Sequence, residues 1–236
     1  MERLDKRLAN TGRWSRREIR ELIRAGRVCV DGRVVRSPEE KCASTSTFQV
    51  DGMVVAGEAV VYLMLHKPAG LVSSTEDPRQ PTVFSLLPEH LRRAGLFPAG
   101  RLDKDTEGLL LLTNDGLLAH SLLSPRRHVD KTYFVRVDGV LDEGDAAAFE
   151  AGLTLADGYT CLPAGLELLE ASDTAVITLR EGKYHQIKRM LAQRGKPVIY
   201  LKRLTMGPLK LDPSLGPGEW RPLTGEEISA LRGGSP

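Results

Sequence analysis

The stretch Gly100-Arg101-Leu102-Asp103-Lys104-Asp105-Thr106-Glu107-Gly108-Leu109-Leu110-Leu111-Leu112-Thr113-Asn114-Asp115-Gly116 decides how the rest of the chain is read. Four consecutive leucines are too few to span a membrane, and Asn-Asp-Gly closes them with a turn signal. The run is therefore predicted as a strand buried on both faces. Loops at the mouth of a rigid buried strand are where sites are usually built. Asp103 and Asp105 sit in that loop with Arg101 and Lys104 beside them. Taken alone, these charges fit a solvated turn as well as a site.

Working outward, 236 residues allow one or two domains, and a 41% hydrophobic content is enough for a real core. No run resembles a transmembrane helix, and the start Met1-Glu2-Arg3-Leu4-Asp5-Lys6 lacks the apolar stretch of a signal peptide. Cys29, Cys42 and Cys161 are odd in number and lack a Cys-x-x-Cys pair, which speaks against a disulfide framework or a zinc knuckle and for a reducing, cytoplasmic setting. The five histidines are scattered, so no metal ligand is assigned. The net charge is only +2, so the distribution of charge matters more than its total.

Residues 1–59 read as a small basic module. Leu4 and Leu8 lie four apart on a short helix that Gly12 is expected to cap. Ser15-Arg16-Arg17-Glu18 has the form of a capping box, and the helix it starts carries Ile19, Leu22 and Ile23 on one side. Arg16, Arg20, Arg24 and Arg27 line another side, where they repel one another unless an anion sits against them. Asp31-Gly32 and Asp51-Gly52, each between short apolar runs, predict two hairpins. Two helices followed by hairpins, with an arginine row, resemble the S4 RNA-binding domain. A solvated helix face is the plainer alternative.

A boundary is expected near Ala56-Gly57-Glu58, with a second domain over 60–236. There Val60 to Leu65 reads as a strand leading into His66-Lys67-Pro68-Ala69-Gly70, a turn to which no chemistry is assigned. Thr82 to Pro88 reads as a short helix ended by proline, and Leu117 to Leu123 as another helix. Ser124-Pro125-Arg126-Arg127-His128 is a basic approach to a β-rich run, Lys131 to Val137. Alternation returns at Thr174 to Leu179, followed by a helix with Ile187, Met190 and Leu191 on one face and Gly195 as its cap. Strands and helices mix without strict βαβ order. The expected class is α+β, built on a mixed, mainly antiparallel sheet.

Three segments of this second domain resemble the motifs of bacterial ribosomal-RNA pseudouridine synthases, in particular the small-subunit branch. Gly100 to Gly116 is similar to the family's active-site motif, which makes Asp103 the catalytic aspartate. Lys131-Thr132-Tyr133 is similar to the segment bearing the family's active-site tyrosine, here Tyr133, which stacks on the target base. Glu181 to Met190 is similar to the last motif, whose basic residue after Gln-Ile pairs with the carboxylate, here Lys188. Other members often carry arginine there, and lysine keeps the charge without the bidentate fork. The wording around Ser124 to Tyr133 resembles the small-subunit branch most.

The resemblance implies isomerisation of a uridine in ribosomal RNA, 16S first and 23S as the alternative, with no cofactor. The partner is ribosomal RNA or a subunit precursor, and a monomer is the default. Arg101 and Arg189 join the arginine row as candidate RNA contacts. A carboxylate suits the chemistry because it can attack C1′, attack the base or abstract a ribose proton. A cation beside it favours its charged form during desolvation. Two other readings stand beside this one. A catalytically silent assembly factor would not need Asp103, Tyr133 and Lys188 together. A glycosidase using Asp103 and Asp105 would need carboxyls about 5–5.5 Å apart and an aromatic sugar cleft, whereas aromatics make up 5% of the chain.

Overall fold

The computed structural model describes residues 2–9, 11, 14–43, 45–55, 60–124 and 129–233. The expected cap at Gly12, the linker Ala56-Gly57-Glu58, the segment Pro125 to His128 and the tail from Gly234 lie outside the described residues. The chain packs as two compact units. One comprises Met1–Val61, Leu87–Phe97 and Thr113–Gly116, and the other comprises Tyr62–Leu86, Pro98–Leu112 and Leu117–Pro236. No helix among the described residues is long and apolar enough to cross a membrane.

In the first unit, helix Leu4–Ala9 buries Leu4 and Leu8, and helix Arg16–Arg24 buries Ile19 and Ile23. The capping box forms: the Glu18 N–H donates to Ser15 Oγ at 3.2 Å, and the Ser15 N–H donates to Glu18 Oε2 at 2.7 Å. Both hairpins form as well. Val28–Val30 pairs with Arg33–Val35, Phe48–Val50 with Met53–Val55, and the two hairpins join through Val28–Val30 and Phe48–Val50. Asp31 and Gly32 have φ of 49° and 79°, and Asp51 and Gly52 have 53° and 75°. Positive φ at both central residues is what a two-residue type I′ turn requires, which is why Asp-Gly was so informative. One face of this sheet closes over the helices, burying Val28, Val30, Val35, Phe48, Val50 and Val55 in a single core with Leu4, Leu8, Ile19 and Ile23.

The second unit is organised by a mixed sheet. Its main path runs Gly165–Leu168, Thr174–Leu179, Lys131–Val137, Val198–Arg203, Glu107–Thr113, Tyr62–Lys67, Trp220–Pro222. Gly165–Leu168, Thr174–Leu179, Lys131–Val137 and Val198–Arg203 pair antiparallel in turn, as do Tyr62–Lys67 and Trp220–Pro222, whereas Val198–Arg203 and Glu107–Thr113 run parallel. The α+β expectation, with a mainly antiparallel sheet, is therefore met. Leu109 through Leu112 are fully buried, as a strand covered on both faces should be.

Gly108 marks the parallel crossing. At φ +105° its Cα lies so near the neighbouring strand that an added Cβ would stand 2.2 Å from the Arg203 carbonyl oxygen. Only glycine allows the aspartate strand to approach that closely. The helix expected over 82–88 is shorter, a 3₁₀ turn at Val83–Leu86. The residue before a proline avoids the α region, so a single turn is what this sequence supports ahead of Pro88.

Candidate active site

The aspartate loop is held by the segment that follows strand Tyr62–Lys67. Lys67 is fully buried, and its ammonium donates to the carbonyls of Pro68, Lys104 and Thr106 at 3.0, 3.2 and 2.8 Å. The Gly70 N–H donates to Lys104 O at 2.8 Å. Ser73 Oγ donates to Leu102 O at 2.8 Å and accepts from the Leu102 N–H at 3.1 Å. The Lys-Pro turn, to which no chemistry was assigned, thus fixes the backbone on both sides of Asp103. Burial pushes the Lys67 ammonium down to about 8, partly countered by Asp105, Asp103 and Glu107.

Asp103 and Lys188 meet, although they are 85 positions apart. Lys188 Nζ lies 3.1 Å from Asp103 Oδ2 and 2.5 Å from Asp105 Oδ1. The lysine is thus shared, and its shorter contact is with Asp105, a partner that sequence reading did not give it. Burial pulls the Lys188 pKa down, but its hydrogen bonds to Asp105 and Asp103 outweigh this and raise the group above its ordinary value. Burial likewise pushes Asp105 up, and Lys188 more than reverses this, leaving that carboxyl below the usual range. A third group completes the cluster: His185 Nε2 stands 3.5 Å from Asp103 Oδ1.

Asp103, His185 and Lys188 line an open cleft of about 100 Å³ together with Arg101, Thr106, Tyr133 and Lys183. Tyr133 projects from strand Lys131–Val137, where it is opposite Ile177 and Arg203, and is nearly buried. Thr106 Oγ1 is buried in the wall without a hydrogen-bond partner among the described residues. Below the helix Gln186–Gln193, Glu181 ties three segments together. It accepts from Tyr159 Oη at 2.6 Å, from the Leu162 N–H at 2.9 Å and from Gln186 Nε2 at 2.6 Å. Gln186 Oε1 in turn accepts from the Lys183 N–H at 3.0 Å. The hydrogen bond to Glu181 pushes the Tyr159 hydroxyl up to about 12. Glu181 therefore acts as a brace for the helix that delivers Lys188.

The candidate RNA-binding arginines are not alike. Arg101 is exposed on the cleft. Arg189 does not line the cleft and pairs with Asp157 at 2.5 Å. In the first unit, Arg20 is held by Asp5 at 2.9 Å, and Arg27, beyond the helix end, is gripped by Asp51 at 2.5 and 2.6 Å. Arg16 and Arg24 are exposed and form no ion pair among the described residues. Among the described residues, no group of three or more His, Cys, Asp or Glu side chains is placed to hold a metal ion.

The chain resembles known proteins along nearly its whole length. Residues 61–193 match the family model described as RNA pseudouridylate synthase, and residues 2–45 match the S4 domain. An RNA pseudouridine synthase from Bacillus subtilis is 47% identical over 97% of this chain and 98% of its own length. The ribosomal small subunit pseudouridine synthase A of Pseudomonas aeruginosa is 44% identical, covering 97% of this chain and 100% of its own. A crystal structure of a pseudouridylate synthase superposes with a TM-score of 0.72 at 37% identity, over 98% of this chain and 100% of that one. The chain belongs to the RNA pseudouridine synthase family and carries an S4 domain ahead of its synthase domain.

Proposed function

We propose that this chain isomerises a uridine of 16S ribosomal RNA to pseudouridine, with Asp103 as the catalytic carboxylate, Lys188 as its cation and Tyr133 as the face on which the turned-out base rests. The observation that carries this reading is the 3.1 Å contact of Lys188 with Asp103 on the wall of a cleft that Tyr133 also lines. Small-subunit relatives, at 41–44% identity over nearly their whole length, favour 16S over 23S RNA.

The reaction breaks the bond from ribose C1′ to uracil N1, rotates the base and joins C1′ to C5. The proton leaves C5 and N1 regains one, so atoms balance without a cofactor. Every route to it uses an ionised carboxylate as nucleophile or base, and a positive neighbour keeps Asp103 ionised while the base displaces water. Flipping costs stacking, which an aromatic face such as Tyr133 partly restores. Asp105, held below the usual carboxylate range by Lys188, is a poor proton donor, which counts against a glycosidase pairing of acid and nucleophile.

Residues 1–59 are assigned to gripping RNA through Arg16, Arg20, Arg24 and Arg27, and residues 60–236 to catalysis, with Arg101 and Arg189 as further RNA contacts. The protein acts as a cytoplasmic monomer on ribosomal RNA or a subunit precursor. Mapping pseudouridines in ribosomal RNA from a strain lacking this chain tests the proposal. One 16S position should lose its modification and regain it on complementation, whereas unchanged 16S RNA would refute the assignment.

A further inference from the structure

Among the described non-glycine residues, three have positive φ. Two are the Asp-Gly hairpin turns, and the third is His185, at φ 49° and ψ 35°. Histidine enters the left-handed region more readily than most side chains, yet the conformation still costs energy, and residues held there cluster at sites. Here the turn presses the imidazole flat against Tyr184, with ring centroids 3.8 Å apart and planes 17° from parallel. That spacing is close to the roughly 3.4 Å between stacked bases. The inner ring belongs to the cleft, since His185 Nε2 is 3.5 Å from Asp103. The outer ring is left open: Tyr184 is 76% exposed, the most exposed of the large hydrophobic side chains described.

An exposed tyrosine is ordinary, but one backed by a second ring, on a strained turn beside the catalytic carboxylate, is a prepared surface. Cations at the cleft and its aspartate loop suit a nucleic-acid strand. Arg101 and Lys183 line the cleft and Lys104 lies in the loop; all three are exposed and form no ion pair among the described residues, although Lys183 Nζ stands 4.7 Å from the Tyr159 ring centroid. When a uridine is turned out of an RNA strand, its neighbour loses a stacking partner, and single-stranded bases take aromatic side chains as replacements.

The geometry points to a second stacking station: the outer face of Tyr184, backed by His185, receives the nucleobase next to the target uridine. This rests on the synthase reading above for its substrate. Tyr133 takes the flipped base, and Tyr184 takes the base that stays in the strand, so the two rings separate catalysis from choice of sequence context.

The test uses the full chain and a 16S RNA fragment containing the mapped uridine. Two further fragments carry an abasic nucleotide on the 5′ or on the 3′ side of that uridine. Binding and single-turnover isomerisation are measured for the wild type, Tyr184→Leu and Tyr184→Phe. Tyr184→Leu should bind the intact fragment about tenfold more weakly, the lower range of a base–aromatic stack. Tyr184→Phe, which keeps the ring, should stay within about twofold. On one of the two abasic fragments the wild type should already be about tenfold weaker, and Tyr184→Leu should add nothing. Undiminished binding by Tyr184→Leu, or an equal loss on all three fragments, overturns the station. Coupled binding without isomerisation by the wild type would uphold the station and sink the catalytic reading, and isomerisation without coupling would do the reverse.

Discussion

On helix Arg16–Arg24 of the first unit, the guanidiniums of Arg16 and Arg24 stand in solvent with no ion pair among the described residues. In the second unit, Lys188 is shared by two carboxylates and Lys67 is sunk among three carbonyls. The same charge type serves opposite ends. An exposed, unpaired cation meets the phosphate backbone and yields affinity that salt erodes. A shielded, paired cation has no counterion to release, and it holds atoms in place or keeps a neighbour charged. Arg20 and Arg27, paired with Asp5 and Asp51, lie between these limits although sequence spacing groups them with Arg16 and Arg24.

Substitutions should separate the two uses. The largest effect is expected from Asp103→Asn, which should slow single-turnover isomerisation by at least about 10³-fold, or about 4 kcal/mol of barrier, while RNA affinity stays within a few-fold. Asp105→Asn, although it frees the shorter contact of Lys188, should be far milder. Equal losses would mean that the two carboxylates share the chemistry. Next comes Lys188→Met, which keeps the aliphatic stem and removes the charge. A loss of about 10²-fold in kcat/KM is expected, with Lys188→Arg recovering most of it. Equivalent rates for methionine and arginine at this position would break the charge argument.

Lys67→Met should act through the scaffold. Each buried acceptor left unmade costs roughly 1–3 kcal/mol, so denaturant unfolding should show a loss of that order, with about a tenfold drop in turnover as the aspartate loop loosens. The pH dependence has a definite sign. Because burial lowers Lys67 from 10.5 to about 8, the unfolded chain holds this proton more tightly between those values. Stability from this group therefore rises with pH from about 8 to 10.5 and is flat below. Turnover should move the other way, since a neutral amine has two hydrogens for three carbonyls. A fall in rate above about pH 8 that vanishes in Lys67→Met would identify this group.

The smallest effect belongs to the first unit. Replacing Arg16 and Arg24 together by glutamine should lower the slope of log K against log salt by about 1.4–1.8, at roughly 0.7–0.9 per phosphate contact, with unchanged turnover at saturating RNA. Arg20→Gln and Arg27→Gln should change the slope less. Equal slopes for all four would mean that internal pairing does not decide which arginines meet RNA.

Local rules carried much of the fold. The leucine run, the Ser15–Glu18 box and the two Asp-Gly turns are each specified by a few adjacent residues, and each forms where the sequence places it. The motif residues Asp103, Tyr133 and Lys188 also come together on one cleft. What stayed hidden depends on contacts distant in sequence. Lys67 looked like part of a turn because nothing near it shows that carbonyls of residues 104 and 106 will surround it. The close approach at Gly108 depends on the parallel strand ending at Arg203, far along the chain. Tyr159 and Leu162 give no local hint of Glu181. His185 had a faint signal, an aromatic pair directly before the helix that carries Lys188.

On the proposal above, Asp103, held beside Lys188, isomerises a uridine of small-subunit RNA. Tritium release under single-turnover conditions tests it most directly, using 16S and 23S RNA labelled at C5 of uridine with the wild-type chain and Asp103→Asn. The wild type should release the label of one uridine per 16S molecule and none from 23S, and Asp103→Asn should release none from either. Release by Asp103→Asn at more than about a tenth of the wild-type rate, a barrier difference under roughly 1.4 kcal/mol, would remove Asp103 from the chemistry. Release from 23S RNA alone would contradict the choice of substrate.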